Sequence, residues 1–182
     1  MTVTLRRVAT DELTDAEIEV ARRLLWAAFD DPDEGMTEDD WAHALGGVHV
    51  LIELDGDIVG HASVVERELH VGGRPLRTGY VEAVAIYPRH QRSGLGSQLM
   101  AAIGSVVVER FELGALGTGS PGFYERLGWL RWEGPTFVRD PTGLQRTADE
   151  DGGILVLPTP GTPADLDRTT SISCDWRVGD VW

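Results

Sequence analysis

Lysine is missing from this sequence, and all 16 of its basic residues are arginines. The absence excludes a Walker phosphate loop, because that loop needs a lysine at a fixed place in G-x-x-x-x-G-K-[ST]. Cysteine is almost missing as well, since Cys174 is the only one. A single thiol excludes internal disulfides and a thiolate metal cluster, and it predicts a protein of the reducing cytoplasm.

Positive charge is scarce, with 30 acidic residues and a formal net charge of −14. So acidic a surface repels nucleic acid and anionic lipid and attracts cations, although a solvated acidic surface is also ordinary in a soluble protein. Long apolar runs are absent too, so we expect no membrane span. The N-terminus, with Arg6 and Arg7 followed by acids, does not have the pattern of a signal peptide.

A metal site is not predicted. The chain has five histidines, and none falls in an H-E-x-x-H pattern or a similar pairing. His43 and His49 are six positions apart and are predicted on different elements. We therefore expect no metal cofactor.

The 182 residues and 42% apolar content suit one sizeable core, so we predict a single domain over 1–182 with a tail over about 165–182. Capping boxes at Thr14 and Thr37 each predict a helix. Val48 to Leu54 and Asp57 to Glu66 are β-rich and joined by Asp-Gly, which predicts a hairpin. The order of elements predicts an α+β fold with a central mixed, mostly antiparallel sheet and one parallel junction.

The chain is organised around the segment from Gly79 to Ala102. A strand over Tyr80–Tyr87 is followed by the turn Gln91-Arg92-Ser93-Gly94-Leu95-Gly96, and apolar residues then recur at helical spacing. The Gly-rich turn therefore lies at a helix N-terminus, where backbone N–H groups and the helix dipole favour phosphate. A dinucleotide fingerprint is excluded, since it needs a third glycine where this chain has Leu99.

The same turn fits Q/R-x-x-G-x-G/A and resembles the pyrophosphate loop of the GCN5-related N-acetyltransferases (GNAT). Tyr124-x-x-x-Gly128-Trp129 is similar to a second segment of that family. The resemblance implies the GNAT fold, flanking helices, and acetyl-CoA as the donor, bound at the parallel junction. The residues it implies for acetyl-CoA binding are Val84, Ala85, Ile86, Gln91, Arg92, Ser93, Gly94, Leu95 and Gly96.

Two residues are candidates for catalysis. Glu82 lies among apolar residues of its strand, where a carboxylate is either a hydrogen-bonded structural acid or a general base with a shifted pKa. Tyr124 is either a core aromatic beside Phe123 and Trp129 or, in the acetyltransferase pattern, the acid that protonates the leaving thiolate. We predict Glu82 as the base, acting through water, and Tyr124 as the acid.

The C-terminal sequence Cys174-Asp175-Trp176-Arg177-Val178-Gly179-Asp180-Val181-Trp182 makes the resemblance narrower. With Asp40 to Gly47, Gly79 to Val84 and Asp149 to Gly153, it resembles the aminoglycoside 2′-N-acetyltransferases over nearly the whole chain. That resemblance implies transfer of an acetyl group to the 2′-amine of an aminoglycoside, a polycation that suits the acidic composition. Relatives suggest a homodimer.

The resemblance also implies the substrate contacts. Asp40, Asp151, Asp180 and the carboxylate of Trp182 would bind ammonium groups, so a C-terminal extension is expected to damage activity. In the acidic loop, Asp33 or Glu34 would contribute. The full set of implied substrate residues is Asp33, Glu34, Asp40, Glu82, Ala83, Gly117, Thr118, Asp151, Asp180 and Trp182.

Two other functions fit the same motifs. One is an acetyltransferase for a different cationic amine, such as a polyamine, a sugar amine or a peptide N-terminus. The other is a non-catalytic acyl-CoA sensor, against which the presence of both Glu82 and Tyr124 argues. Turnover of different acceptors separates these possibilities.

Overall fold

The computed structural model describes residues 2–32 and 35–182, so Asp33 and Glu34 lie outside the described part. This part contains ten strands and four α-helices. The helices are α1 Asp15–Ala28, α2 Glu38–His43, α3 Leu95–Arg110 and α4 Pro121–Glu125. The strands are β1 Val3–Ala9, β2 Val48–Leu54, β3 Asp57–Val71, β4 Arg74–Ile86, β5 Leu113–Gly117, β6 Leu130–Arg131, β7 Thr136–Asp140, β8 Gly143–Arg146, β9 Ile154–Pro158 and β10 Ile172–Asp175.

The chain divides into two compact units. The first unit consists of Met1–Val65 and Val81–Val106, and the second of Glu66–Tyr80 and Val107–Trp182. Strands β3 and β4 and helix α3 each contribute to both units. The expectation of a single domain stays a prediction.

In the first unit, β1, β2 and the first half of β3 form an antiparallel sheet. The β2–β3 connection is the predicted Asp55-Gly56 turn, with φ of 52° and 94°. Both predicted capping boxes are present, and at the start of α1 the Glu17 N–H donates to the Thr14 hydroxyl over 3.3 Å. Helix α1 ends at Ala28, two residues before the predicted end. Its buried face packs with α2 and β4 in a core of Ala21, Leu24, Leu25, Trp41, Ala44 and Ala85.

In the second unit the strand order is β6-β9-β5-β4-β3-β10-β7-β8. The predicted parallel junction is confirmed, because β4 and β5 pair in parallel from Thr78 with Leu113 to Tyr80 with Ala115. Strand β5 begins at Leu113, two residues later than predicted. The prediction of only one parallel junction was wrong, since β7 and β10 also pair in parallel.

Strand β10, in the C-terminal tail, was not predicted. Its four residues are too few to show a clear alternation in the sequence. What fixes them as a strand is pairing with β3 and β7, which are distant in sequence. Ile172 and Cys174 are fully buried as a result. The tail is therefore built into the second unit.

Candidate functional site

The Gly-rich turn lies at the start of α3 in the first unit, as predicted. Gln91, Arg92, Ser93 and Gly94 are exposed there, and the φ of Gly94 is +83°. A Cβ built on Gly94 would meet nothing within 4 Å, so the space in front of the turn is open. Leu95 at the start of α3 is 5% exposed and anchors the helix to the core. An exposed turn of this shape, on a 16-residue helix, can receive a pyrophosphate.

Glu82 lies on β4 and is half-buried. The next residue, Ala83, has a φ of +52°, in the left-handed region that non-glycine residues seldom adopt. The strand is irregular here, because residues 82–84 are all half-buried instead of alternating. Strain of this kind often accompanies functional sites. Ala83 was predicted to contact substrate, and its backbone lies at this irregularity.

Two histidines that sequence reasoning left unassigned lie behind Ala83, and both are fully buried. His61 Nδ1 is 2.9 Å from the Ala83 carbonyl oxygen, and His61 Nε2 is 2.8 Å from His49 Nδ1. His49 Nε2 is in turn 2.8 Å from the Thr10 hydroxyl. Burial lowers the pKa of both rings to about 4. Both are therefore neutral at pH 7.

This pair leads to a prediction about acid stability. In the unfolded chain each ring has a pKa near 6.5, so the unfolded state binds more protons than the folded state between pH 6.5 and about 4. The free energy of unfolding should have its full value above pH 6.5. It should fall as the pH drops from 6.5 to about 4, by up to about 3 kcal/mol per histidine. Urea unfolding at a series of pH values measures it.

The control for that experiment is a histidine outside the core. Other carboxylates also titrate near pH 4, so the slope of stability against pH is compared between variants. His49→Asn should show a shallower slope than the wild type between pH 6.5 and 4.5, and His90→Asn, at a half-buried turn position, should keep the wild-type slope. Equal slopes in all three proteins would contradict the assignment.

The C-terminal tail folds back onto the second unit, and its last side chain is buried. Trp182 is 4% exposed, and its indole N–H donates to the Thr147 hydroxyl over 3.0 Å. Arg67 donates to the Val181 carbonyl over 2.9 Å, and the Cys174 thiol donates to the same oxygen over 3.2 Å. Burial raises the pKa of Cys174, so this thiol stays protonated and can donate. The tail is thus held at a fixed position.

Gly117 faces the end of this tail. A Cβ built on Gly117 would lie 3.4 Å from the backbone carbonyl carbon of Trp182 and 3.4 Å from the Tyr80 hydroxyl oxygen. The next residue, Thr118, donates its N–H to the Gly153 carbonyl over 2.9 Å. Gly117, Thr118 and Trp182, all predicted to contact substrate, are therefore part of the same unit, and Gly117 and Trp182 are near neighbours.

The acidic residues beside the tail form a cluster that the sequence revealed only in part. The pKa of Glu150 is raised by burial first, and then by the charges of Asp180 and Asp149. Asp180 is exposed and accepts the Trp182 backbone N–H over 3.1 Å. Glu150 was not predicted as a site residue, although it is next to Asp151, which was. The cluster carries negative charge that a bound cation would stabilise.

Asp151, unlike the acids of that cluster, is paired with an arginine. Its carboxylate pairs with Arg146 and accepts from the Thr136 N–H and hydroxyl at 3.1 and 3.0 Å. The hydrogen bond from Arg146 is the main reason that the pKa of Asp151 falls to about 2. Thr136 is in turn hydrogen-bonded to Thr147, the residue that receives the Trp182 indole. Asp151 therefore supports the place where Trp182 is buried.

Tyr124 lies on α4, in the second unit, and contacts Phe123 and Trp129 edge to face at 4.9 and 6.5 Å between ring centres. Burial raises its pKa to about 12. The phenol is therefore protonated at every physiological pH and has a proton to donate. Both interpretations from the sequence remain compatible with this position, since the ring is half-buried and its neighbours are aromatic.

The remaining predicted substrate residues are in the first unit or outside the described part. Asp40 is half-buried and closes the capping box of α2, accepting the Thr37 N–H over 2.9 Å. Asp33 and Glu34 lie outside the described residues, so their prediction is not tested.

In residues 2–32 and 35–182, no group of three or more His, Cys, Asp or Glu side chains could hold a metal ion. No helix in those ranges is long and apolar enough to cross a membrane.

Known sequences and family models that match this chain include the following. A family model described as an acetyltransferase (GNAT) domain matches residues 9–131. An aminoglycoside 2′-N-acetyltransferase of Mycolicibacterium fortuitum is 43% identical over 183 residues, covering 98% of this chain and 92% of the relative. An aminoglycoside N(6′)-acetyltransferase type 1 of Stenotrophomonas maltophilia is 38% identical over 80 residues, which is 43% of this chain and 52% of that protein.

Solved structures share the fold. The GNAT family N-acetyltransferase YhbS of Escherichia coli, solved in complex with CoA, has a TM-score of 0.66 and 14% identity, covering 94% of this chain and 89% of that one. Eis1 from Mycobacterium abscessus has a TM-score of 0.59 and 20% identity over 75% of this chain. This chain spans only 33% of the length of Eis1. At such identities the likeness concerns the fold alone.

Proposed function

This chain belongs to the GNAT acetyltransferases, in the aminoglycoside 2′-N-acetyltransferase family, and we propose that it transfers the acetyl group of acetyl-CoA to the 2′-amine of aminoglycosides. The match to the M. fortuitum enzyme extends over 98% of the chain, so it covers far more than the phosphate loop common to all acetyltransferases of this fold. The name of that relative supports an aminoglycoside as the acceptor.

The structural observation that carries the proposal is the acidic cluster of Asp149, Glu150 and Asp180. Burial first, and then the charges of Asp180 and Asp149, raise the pKa of Glu150, so the three carboxylates lie close enough to repel one another. An aminoglycoside carries several ammonium groups, which would relieve that repulsion on binding. Opposite charge also raises the local concentration of a cationic substrate and speeds its encounter with the protein.

The turn Gln91–Gly96 is proposed to hold the pyrophosphate of acetyl-CoA, with the backbone of Val84, Ala85 and Ile86 beside the pantetheine arm. The residues fit this ligand, because the space in front of Gly94 is open and the turn begins a long helix. Bound acetyl-CoA supplies the thioester that is attacked by the amine. The protein groups in the turn hold and orient it.

Glu82 is proposed as the general base. An ammonium group has no lone pair, so the attacking amine must be neutral, and the nitrogen gains positive charge as its bond to the acetyl carbon forms. Glu82, acting through one water, would accept the proton released from that nitrogen. Glu82 is half-buried beside the irregular backbone at Ala83, and the basicity of a carboxylate depends on such surroundings.

Tyr124 is proposed as the donor to the leaving thiolate. Thiols have a pKa of about 8.5, whereas burial raises the pKa of Tyr124 to about 12. Full proton transfer to the thiolate is therefore uphill, and the phenol stabilises the developing charge mainly through a hydrogen bond. We expect the contribution of Tyr124 to be smaller than that of Glu82.

The substrate contacts are proposed from the acidic cluster and the residues around it. Asp180 and Glu150 would bind ammonium groups directly, and Trp182 would join them. Asp151 already pairs with Arg146, so we propose that it acts by supporting Trp182. The other proposed contacts are Asp33, Glu34, Asp40, Glu82, Ala83, Gly117 and Thr118. We also propose that the enzyme works in the cytoplasm as a homodimer, which its mass in solution would test.

Removal of one charge from the cluster should weaken acceptor binding. Asp180→Asn is expected to raise the aminoglycoside KM by about tenfold, since a hydrogen bond to a charged group contributes on the order of 1.5–3 kcal/mol. The KM for acetyl-CoA should stay the same. Steady-state kinetics with each substrate varied in turn measures both, and Asp165→Asn, an exposed acid elsewhere in the unit, is the matched control. A change confined to acetyl-CoA would mean that the tail belongs to the donor site.

The proposed function is tested by coenzyme A release from acetyl-CoA with a panel of acceptors. We expect turnover with aminoglycosides that carry a 2′-amine and little with polyamines, simple sugar amines or peptide N-termini. Turnover with polyamines alone would show that the chain is an acetyltransferase for another cationic amine. Tight binding of acetyl-CoA with no turnover of any acceptor would show a binding module instead.

A further inference from the structure

The proposed mechanism gives no role to the buried His49–His61 pair, although both rings lie in the core with no exposed surface. Their neighbours are an indole and a hydroxyl. Trp41 lies 6.3 Å from the His49 ring and 5.8 Å from the His61 ring, between centres, and Thr10 reaches His49 Nε2. Burying two titratable rings side by side is costly unless every ring nitrogen has a partner. Here every one has.

The partners determine where each proton lies. A carbonyl oxygen only accepts, so His61 Nδ1 must carry the proton that is donated to Ala83. In a neutral ring His61 Nε2 is then an acceptor, so His49 Nδ1 must donate to it. His49 Nε2 is left to accept, and the Thr10 hydroxyl donates to it. The three bonds therefore all run in one direction, from Thr10 to Ala83.

The acceptor end of this chain is the irregular part of β4. His61 and Ser63 are two residues apart on β3, so their side chains lie on the same face. His61 holds the carbonyl of Ala83 at 2.9 Å, and the Ser63 hydroxyl donates to the carbonyl of Glu82 over 3.4 Å. The two side chains thus hold the carbonyl groups of both Glu82 and Ala83, the second of which has the left-handed φ.

We propose that His61, kept in its Nδ1–H form by His49, is a positioning residue that fixes the backbone at Ala83 and so the direction of the Glu82 carboxylate. The proposal rests on the proposed function, in which Glu82 is the base. Loss of the donor from His61 allows the left-handed residue to relax toward the ordinary β region, because extended geometry is the favoured one for alanine in a strand. Such a change would rotate the peptide groups on both sides of Ala83.

Proton positions are tested first by ¹⁵N NMR of the histidine side chains in the full-length wild-type protein. We expect both rings to be neutral and protonated on Nδ1 from pH 8 to about pH 5. In water the neutral imidazole favours the Nε2–H form, so the pattern would be distinctive. A ring protonated on Nε2 alone, or charged at pH 7, would overturn the proposal whatever the kinetics.

Kinetics then test the positioning role with two matched variants. His61→Phe keeps an aromatic ring but removes the donor, whereas the amide nitrogen of His61→Asn can occupy the place of Nδ1. We expect His61→Phe to lower kcat by about tenfold or more, with the KM for aminoglycoside within about twofold, because misplacement of a catalytic group by about 1 Å has effects of this size. His61→Asn should recover most of kcat.

An equal loss of kcat in the phenylalanine and asparagine variants would overturn the proposal, provided that the far-UV and near-UV circular dichroism spectra of both are those of a folded protein. His61 would then act only through its packing. Full kcat in His61→Phe would overturn the proposal as well. Should either variant fail to fold, the NMR pattern of the wild type still decides. Wild-type protein that acetylates no acceptor would overturn the proposed function together with this inference, whereas wild-type turnover with a full-speed His61→Phe variant would overturn the inference alone.

Discussion

Replacing Glu82 by glutamine is expected to lower kcat by about 10²-fold or more at neutral pH, the loss that follows removal of a general base. Glutamine has nearly the same shape and can still accept a hydrogen bond, but it cannot take a proton from the attacking amine. The backbone at Ala83 should be unchanged, because the hydrogen bonds from His61 and Ser63 go to the main-chain carbonyls of Ala83 and Glu82.

The matched control is Glu19→Gln on α1, the same chemical change at an exposed carboxylate that pairs only with Arg23 in the described hydrogen bonds. Its kcat should equal that of the wild type. In Glu82→Gln, the KM for acetyl-CoA should stay within about threefold, since the phosphate loop is intact. Turnover by Glu82→Gln at the wild-type rate across pH 6 to 9 would remove Glu82 from the mechanism.

Replacing Trp182 by alanine is expected to lower kcat/KM for aminoglycosides by about 10²-fold or more. Removing a buried tryptophan costs about 3–5 kcal/mol, and each 1.4 kcal/mol is a tenfold change in an equilibrium constant. The hydrogen bond to Thr147 is lost with the indole. The end of the tail should then leave its place, and Asp180, whose carboxylate accepts the Trp182 backbone N–H, would no longer be fixed.

Trp176 offers the control within the same tail. Its side chain is 59% exposed, so Trp176→Ala removes the same group without disturbing the buried site that Trp182 fills. We expect its kcat/KM to stay within about threefold of the wild type. Acetyl-CoA binding, measured by calorimetry, should be unchanged in both variants. Equal effects of the two substitutions, or an effect of Trp182→Ala on acetyl-CoA alone, would show that the tail does not bind the acceptor.

The features that could be predicted from the sequence are local ones. The capping boxes at Thr14 and Thr37, the Asp55-Gly56 hairpin and the turn before α3 each depend on residues within a few positions of one another. Their geometry follows from backbone preferences and side-chain reach. The packing face of α3 is equally local, because Leu95 and the apolar residues that follow it at helical spacing are buried as expected.

The features that were missed depend on residues far apart in sequence. Arg67 supports the tail through the Val181 carbonyl, 114 residues away, and no pattern around Arg67 indicates it. His49 and His61 lie on neighbouring strands, and their pairing follows from the β2–β3 register. The pairing of Asp151 with Arg146 is closer in sequence, but a carboxylate that binds substrate and one that supports structure look alike until their partners are known.

The central claim is most directly tested by coenzyme A release with kanamycin B and kanamycin A, which differ only in having an amine or a hydroxyl at the 2′ position. We expect the purified protein to acetylate kanamycin B once, at the 2′ nitrogen as located by NMR of the product, and to leave kanamycin A unmodified. Equal acetylation of the two compounds, or a product acetylated at another amine, would contradict the account.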